Sequence, residues 1–440
     1  MTKRGLIVLA GYLVRCPLGG YAWQAAHYLI GLAGLGYEVW FYEDTGYFAP
    51  AFNPAVNGFG MDYGYGVRAA ARFFAGLGLG ERWVFVDTEQ GREYGPGAGR
   101  VEELFREADV VVNLGLLNHR SLENLSGRPS VYIDLDPAYT QIRLVNGDAY
   151  LKSVLDRHTH LFTIGENIGT PRSPVPTGGY TWHATRQPVV PELWAVADCA
   201  GSSYQAVEKR PSAAFPSSRA VQRTPTYASR LEITEALHPD IFEQPEPEPF
   251  STGSYTTIGQ WRSQGRDLTY RGEQFRWCKR TEWLRFLDLP ARTVASLEMA
   301  MNVESVAGDP ELLAAKGWQV VDPLRVSIDP WRYRDYIRGS RGEFTAAKDM
   351  NIRLRSGWFS DRTACYLAAG RPVVVQDTGF ADILPLGPGL HAFGTVEEAA
   401  HGLNTIEADY GRAARYALEV AQEYFAAGKV LASLLGKVGF

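Results

Sequence analysis

Ser356-Gly357-Trp358-Phe359-Ser360-Asp361-Arg362 leads into Ala368-Ala369-Gly370-Arg371-Pro372-Val373-Val374-Val375, and then into Gln376-Asp377-Thr378-Gly379. Small residues mark a turn, 361–369 predicts a helix, and Gly-Arg-Pro stops it. The strand 372–375 is apolar enough to be buried on both faces, as parallel strands are. Two polar, glycine-containing loops thus flank one helix–strand unit. In open α/β sheets ligands lie beyond the carboxyl ends of the strands, and helix N-termini receive anions. The stretch predicts a parallel α/β sheet with a ligand site at its loops.

The same alternation extends outward in both directions. Strand 5–10, the turn Pro17-Leu18-Gly19-Gly20, helix 21–35 and strand 38–42 open the chain as β–loop–α–β. Strands follow at 83–86, 109–113, 129–134 and 160–165, with helices at 67–77 and near 100–107. Residues 45–66, rich in Gly, Tyr, Phe and Asn, read as a surface loop. A second series starts with strand 255–259. It continues through a hairpin at 267–277, helix 280–287, strand 293–301, helix 310–316, strand 318–321 and helix 330–338. After the opening unit, helices at 396–407 and 410–427 end the pattern. Residues 171–250 carry Pro, Ser, Thr and Arg and run into Gln244-Pro245-Glu246-Pro247-Glu248-Pro249. They read as a linker or insert with a short helix at 231–237. The expected fold is α/β: two facing Rossmann-like domains, 1–170 and 251–410, with a cleft between them. Residues 411–440 form a C-terminal helix packing back on the first domain.

A chain of 440 residues suits two domains. A net charge of −5 offers nothing to nucleic acid. The cysteines Cys16, Cys199, Cys278 and Cys365 are far apart, with no metal-ligand spacing, so a reducing cytoplasm is expected. The apolar run 5–10 after Met1-Thr2-Lys3-Arg4 is short for a signal sequence and reads as a strand. No run has the length of a membrane span.

Several residues are placed to do chemistry. Ser356, Gly357 and Ser360 let a phosphate approach the main chain, and the helix beyond Ser360 adds a positive dipole end. Ser360 or Asp361 also suits an ordinary N-cap. Trp358 and Phe359 suit stacking on a base or sugar, or a place in the core. Gln376, Asp377, Thr378 and Gly379, after their strand, can meet sugar hydroxyls or form a polar turn. Gly259 and Trp261 lead to Arg262, and Lys279 follows. Arg262 and Lys279 are the cations assigned to a diphosphate, a planar fork and a point charge. Gly19 and Gly20 permit close approach on the first domain. They do not complete G-x-G-x-x-G, which argues against a nicotinamide dinucleotide. His27 lies about two turns into the following helix. Glu43, Asp44, Asp134 and Asp136 stand at strand ends, where a carboxylate can act as a base or orient a histidine. His158 and His160 have no accompanying cluster, so no zinc is expected.

The segments 338–348, 355–362, 366–373 and 376–380 together resemble a group of bacterial GT-B glycosyltransferases, most with no assigned substrate. Gly259 to Arg262, Trp277 to Lys279, Phe286 to Pro290, Gly165-Glu166-Asn167 and Glu397-Glu398-Ala399 are similar too. The resemblance covers most of the chain outside about 199–250. It implies a nucleoside-diphosphate-sugar donor held mainly by the second domain, no permanently bound cofactor and no metal requirement. It implies an acceptor, a small molecule or a glycan, on the first domain, near Gly19, Gly20 and Glu43. The better-known retaining families carry E-x7-E, which falls here on Gly357 and Cys365. Asp361 or Glu343 would then replace the ribose-binding Glu. For an inverting reaction, His27 supported by Asp134 is the expected base. A nucleotide-sugar epimerase, or a non-catalytic partner subunit of the same fold, are the other readings.

Overall fold

Long apolar strands need partners on both edges, and the two series pair separately. In a computed structural model, which describes residues 4–46, 48–115, 125, 127–196, 253–262 and 266–440, they form an eight-stranded and a six-stranded sheet. The first runs, edge to edge, His183–Ala184, His160–Thr163, Ser130–Asp134, Val110–Leu114, Leu6–Ala10, Glu38–Asp44, Trp83–Asp87, Arg92–Tyr94. Only the last pairing is antiparallel. The second runs Gln319–Val321, Leu297–Met301, Tyr255–Gly259, Gly342–Thr345, Val373–Gln376, Leu390–Phe393, parallel throughout. Val110–Leu114 and Leu297–Met301 are buried along their whole lengths, as central parallel strands covered by helices must be. These are two Rossmann-like domains. In each, strand order reverses beside the first strand: between Leu6–Ala10 and Val110–Leu114, and between Tyr255–Gly259 and Gly342–Thr345. A crevice opens beyond the carboxyl ends at such a switch point.

Some expectations change. Within 45–66 the chain makes a small hairpin, Ala51–Asn53 with Gly58–Gly60, and the next helix starts at Gly64. The strands Gly342–Thr345 and Leu390–Phe393 and the helices Tyr139–Val145 and Ala149–Leu155 were not expected from periodicity. Residues 171–196, expected as linker, belong to the first domain. His183–Ala184 extends its sheet, and Val189 pairs with Ala426. Apolar anchors explain this, since Trp194 is fully buried. The expected helix 231–237 and the rest of the linker lie outside the described residues. No helix among the described residues is long and apolar enough to cross a membrane.

The helix Gly19–Gly34 is the meeting place of the molecule. It packs against the helices Pro330–Gly339 and Ala427–Val438. Trp23 donates its indole N–H to the Pro330 carbonyl at 2.6 Å and meets Trp194 and Trp331 edge-on. Gly31 allows the last helix to approach: a Cβ there would stand 2.5 Å from Leu431.

His27 sits inside this seam, not in a cleft. It is 2% exposed. The Val190 N–H points at Nδ1 and the Trp194 indole N–H at Nε2, each at 3.1 Å, with Cys365 Sγ 3.7 Å from Nε2. A charged ring would turn two N–H groups against two donors. Burial pushes its pKa down to about 3. Asp134 does not support it. That carboxylate is fully buried and accepts from Thr140 Oγ1 at 2.6 Å, from Gln141 Nε2 and Thr163 Oγ1 at 2.8 Å each, and from the Asp136 N–H at 3.1 Å. The His27–Asp134 base pair expected from sequence is therefore not formed, because each residue is consumed by its own domain's packing.

The buried neutral His27 makes stability depend on acid. Its folded pKa lies below that of the unfolded chain, so the unfolded state binds more protons between about 6.5 and 3. The contribution is complete above pH 6.5 and is lost as pH falls toward 3. His27→Gln should flatten the rise of unfolding free energy with pH between 4 and 6.5, measured by urea unfolding. Some slope should remain, because burial also lowers the pKa of His158, to about 4. An unchanged slope would refute the assignment.

Candidate functional site

The second domain's switch point is spanned by one side chain. Arg362, in the first turn of the helix Asp361–Ala368, donates from Nε to Glu343 Oε1 at 2.7 Å and from Nη2 to Thr345 Oγ1 at 2.9 Å. Its Nη1 donates to the Ile258 carbonyl. It thus ties the strands on both sides of the crevice to the helix. Glu343 is fully buried and, among the described residues, its other oxygen, Oε2, has no hydrogen-bond partner. Glu343, expected as a ribose-binding residue, is held by Arg362 through one carboxylate oxygen.

Lys279 stands beside this group. Its ammonium donates to the Ala346 carbonyl at 2.9 Å and lies 5.5 Å from the centre of the Trp358 ring. Burial pushes its pKa down to about 7, Arg362 and Lys348 push the same way, and Glu343 and Asp361 oppose them. The adjoining helix end is open, because Ser360 at the N-cap makes no side-chain cap. Its first N–H groups are the orphan donors of a helix start. Lys279, Trp358, Ser360 and Asp361 are therefore brought together, with Gly259 ending the neighbouring strand and Arg262 exposed beyond it.

Other expected donor residues have different work. Trp261 is fully buried and donates to Asp309 Oδ2 at 2.7 Å, so it cannot stack on a base. Phe359 packs on Phe380 and Phe425. Ser356 and Gly357 form a seam with the first domain. The Asn167 N–H donates to the Ser356 carbonyl at 3.1 Å, and Asn167 Nδ2 donates to the carbonyls of Arg355 and Gly379 at 3.2 and 3.0 Å. Gly357 has φ +77 and its N–H donates to the Thr378 carbonyl; a Cβ there would lie 2.8 Å from the Asn167 nitrogen. A carboxylate at this position, as E-x7-E would require, has neither the conformation nor the room. Gln376 is spent on the Ala347 N–H and on Glu282. Asp377 accepts from the Gly379 N–H at 2.8 Å and pairs with Arg355. Thr378 Oγ1 donates to the Trp358 carbonyl. The polar groups of this loop, expected to face a sugar, are engaged mainly by segments packed against it.

The first domain's face is shaped by Glu43. It accepts the N–H groups of Leu13, Val14 and Arg15 at 2.7, 2.6 and 3.0 Å, and the Arg15 Nε at 3.0 Å. Both side chains are 0% exposed. A carboxylate so satisfied is a scaffold for the loop after the first strand, not a group that meets an acceptor; the expectation for Glu43 is corrected accordingly. Gly19 lets Tyr333 of the second domain come close, since a Cβ would lie 2.3 Å from the Tyr333 Cβ, and the Gly20 position is 3.8 Å from its hydroxyl. Tyr12 and Tyr21 meet edge-on nearby, with Tyr21 41% exposed.

Two participants were not singled out in the sequence. Arg362 lies within the opening stretch, but nothing in its spacing shows that it reaches across two strands. Lys348 pairs with Asp136 of the first domain at 3.1 Å and lies 3.0 Å from the centre of the Trp277 ring. Their pairing joins residues more than two hundred positions apart.

No protein-family model matches the chain, and no curated protein matches it. Solved structures do. An α-glucosyltransferase in complex with UDP and a 13-mer DNA containing an HMU base is similar at 8% identity, TM-score 0.53, over 99% of each chain. An α-glucosyltransferase in complex with UDP-glucose and DNA containing an abasic site is similar at 9% identity, TM-score 0.52, again over 99% of each. Anabaena HepE in complex with UDP-glucose shares 11% identity at TM-score 0.49, over 99% of this chain and 100% of that one. With the two parallel sheets and their switch points, the likeness to the α-glucosyltransferase shows the fold: this chain has the GT-B architecture of glycosyltransferases.

Proposed function

We propose that the protein is a glycosyltransferase that moves a sugar from a nucleoside-diphosphate sugar to an acceptor, without a metal ion. The observation that carries this reading is Lys279 beside the uncapped start of the helix Asp361–Ala368, in the crevice where the second sheet reverses. As the sugar leaves, negative charge builds on the diphosphate. Fixed donors and cations aimed at that place lower the barrier. Lys279 and Arg262 take this role, with Arg362 behind them and the helix N–H groups alongside. Trp358, Ser360, Asp361 and Gly259 line the donor side, and Gly20, Tyr12 and Tyr21 the acceptor side. The thiols of Cys16, Cys278 and Cys365 are free, in keeping with a cytoplasmic enzyme. UDP is the first nucleotide to try, because the α-glucosyltransferase of the same fold is in complex with it.

Calorimetry with UDP tests the site. Lys279→Met and Arg262→Ala should each weaken binding about tenfold, ~1.4 kcal/mol. Unchanged affinity in both variants would remove these residues from the diphosphate.

Proton linkage is a separate check. With a pKa of about 7, Lys279 is mostly neutral at pH 8 in the free protein, and a bound diphosphate favours its charged form. UDP binding should therefore take up a proton at pH 8, where the nucleotide's terminal phosphate is already ionised, measured in buffers of different ionisation enthalpy. Lys279→Arg should keep binding and lose the uptake. Recovery of an epimerised sugar nucleotide without acceptor would show an epimerase instead.

A further inference from the structure

The cleft side of the first sheet carries acids at its strand ends, and their environments differ sharply. Glu43 is 0% exposed and filled by main-chain donors and Arg15. Asp44 is 0% exposed and accepts from the Tyr42 hydroxyl at 2.8 Å and the Gly46 N–H at 2.9 Å. Asp134 is fully buried and saturated. Asp136, two residues on, is 43% exposed. Among the described residues its carboxylate has one side-chain partner, Lys348 Nζ at 3.1 Å from Oδ1.

The position of Asp136 follows from that partner. Lys348 comes from the loop after the strand Gly342–Thr345, on the donor side, and lies near enough to Lys279 to lower its pKa. Lys348 rests on the Trp277 ring, which also carries Arg266 at 5.1 Å and Tyr139 at 4.4 Å. On the first domain, Asp136 acts electrostatically on Tyr21, Tyr132 and Asp134. An open carboxylate thus stands on the acceptor face, across from the diphosphate cations.

We propose that Asp136 is the general base of the transfer, with Lys348 as the positioning residue that aims it. The inference rests on the glycosyltransferase reading above. The acceptor oxygen bonds to the anomeric carbon. The bond from that carbon to the diphosphate oxygen breaks, its electron pair leaves with the nucleoside diphosphate, and the acceptor proton passes to the Asp136 carboxylate. The role takes the place that sequence assigned to His27 and Asp134, which packing has closed.

Hydrolysis of UDP-glucose, UDP-galactose and UDP-N-acetylglucosamine, with water as acceptor, tests it in the full chain alongside UDP calorimetry. Asp136→Asn should keep UDP affinity and lower kcat about a hundredfold or more. Asp136→Glu should restore part of the rate. Lys348→Met should lower kcat with little change in KM, and Lys348→Arg should restore part of the rate. Tyr21, Tyr132 and Asp134, on which Asp136 also acts, remain in all of these variants. Turnover by Asp136→Asn at the wild-type rate would overturn the proposal. So would UDP binding by the wild type without turnover of any of the three sugars. Failure of the wild type to bind UDP would instead bring down the glycosyltransferase reading itself.

Discussion

The second domain depends on the Arg362–Glu343 pair. A guanidinium has donors in a rigid fork. Here the fork reaches Glu343 and Thr345 on one strand and the Ile258 carbonyl on the other, so strands on opposite sides of the switch point are held at a set spacing by one side chain. Taking both charges out of water is costly, and removing one partner of such a pair costs about 3–5 kcal/mol because the other is left buried and unpaired. The helix that carries Arg362 starts at the same point, so its N–H groups are aimed by the same contact. Lys279 feels the guanidinium as a like charge, which helps bring its pKa near 7. One ion pair sets the strand spacing, the helix direction and the electrostatics of the crevice.

The first domain uses acids in a related way. Glu43 and Asp134 organise main chain: one gathers the loop after the first strand, the other anchors the helix Tyr139–Val145. Each is satisfied by several donors and shielded from water, which removes it from chemistry. Asp136 is left partly exposed, while its neighbour Asp134 takes the buried position at the same strand end. The contact with Lys348 then links a loop of each domain.

Much of the fold was legible. Runs such as Val110-Val111-Val112 and Val373-Val374-Val375 can only be buried parallel strands, and the Gly and Pro stops between them mark the helix ends. The strand Gly342–Thr345 was missed because Glu343 interrupts its apolar character, and that charge is tolerated only next to Arg362. Leu390–Phe393 was missed because an edge strand with His391 half-exposed has little apolar pattern. Residues 171–196 looked like linker because their order comes from isolated anchors, Trp194 above all, and not from a period. In the candidate site, Lys279 was legible as a cation for an anion, Trp358 as a surface for stacking and Asp361 as a helix start. Gln376, Asp377 and Glu43 had equally suitable types, and the structure spends them on neighbouring polar groups.

By itself the sequence determined the alternation of strands and helices, the two-domain division and the presence of a polar loop at a strand's carboxyl end. These follow from local period and turn chemistry, which act over a few residues. Only the tertiary structure decided which polar side chains remain available. His27 and Asp134 are closed off by contacts with Trp194, Thr140 and Thr163, while Asp136 and Lys279 keep an open side. Availability depends on which donors arrive from distant segments. Hydrogen-bond capacity is finite, and most buried polar groups are claimed by a partner that can satisfy them.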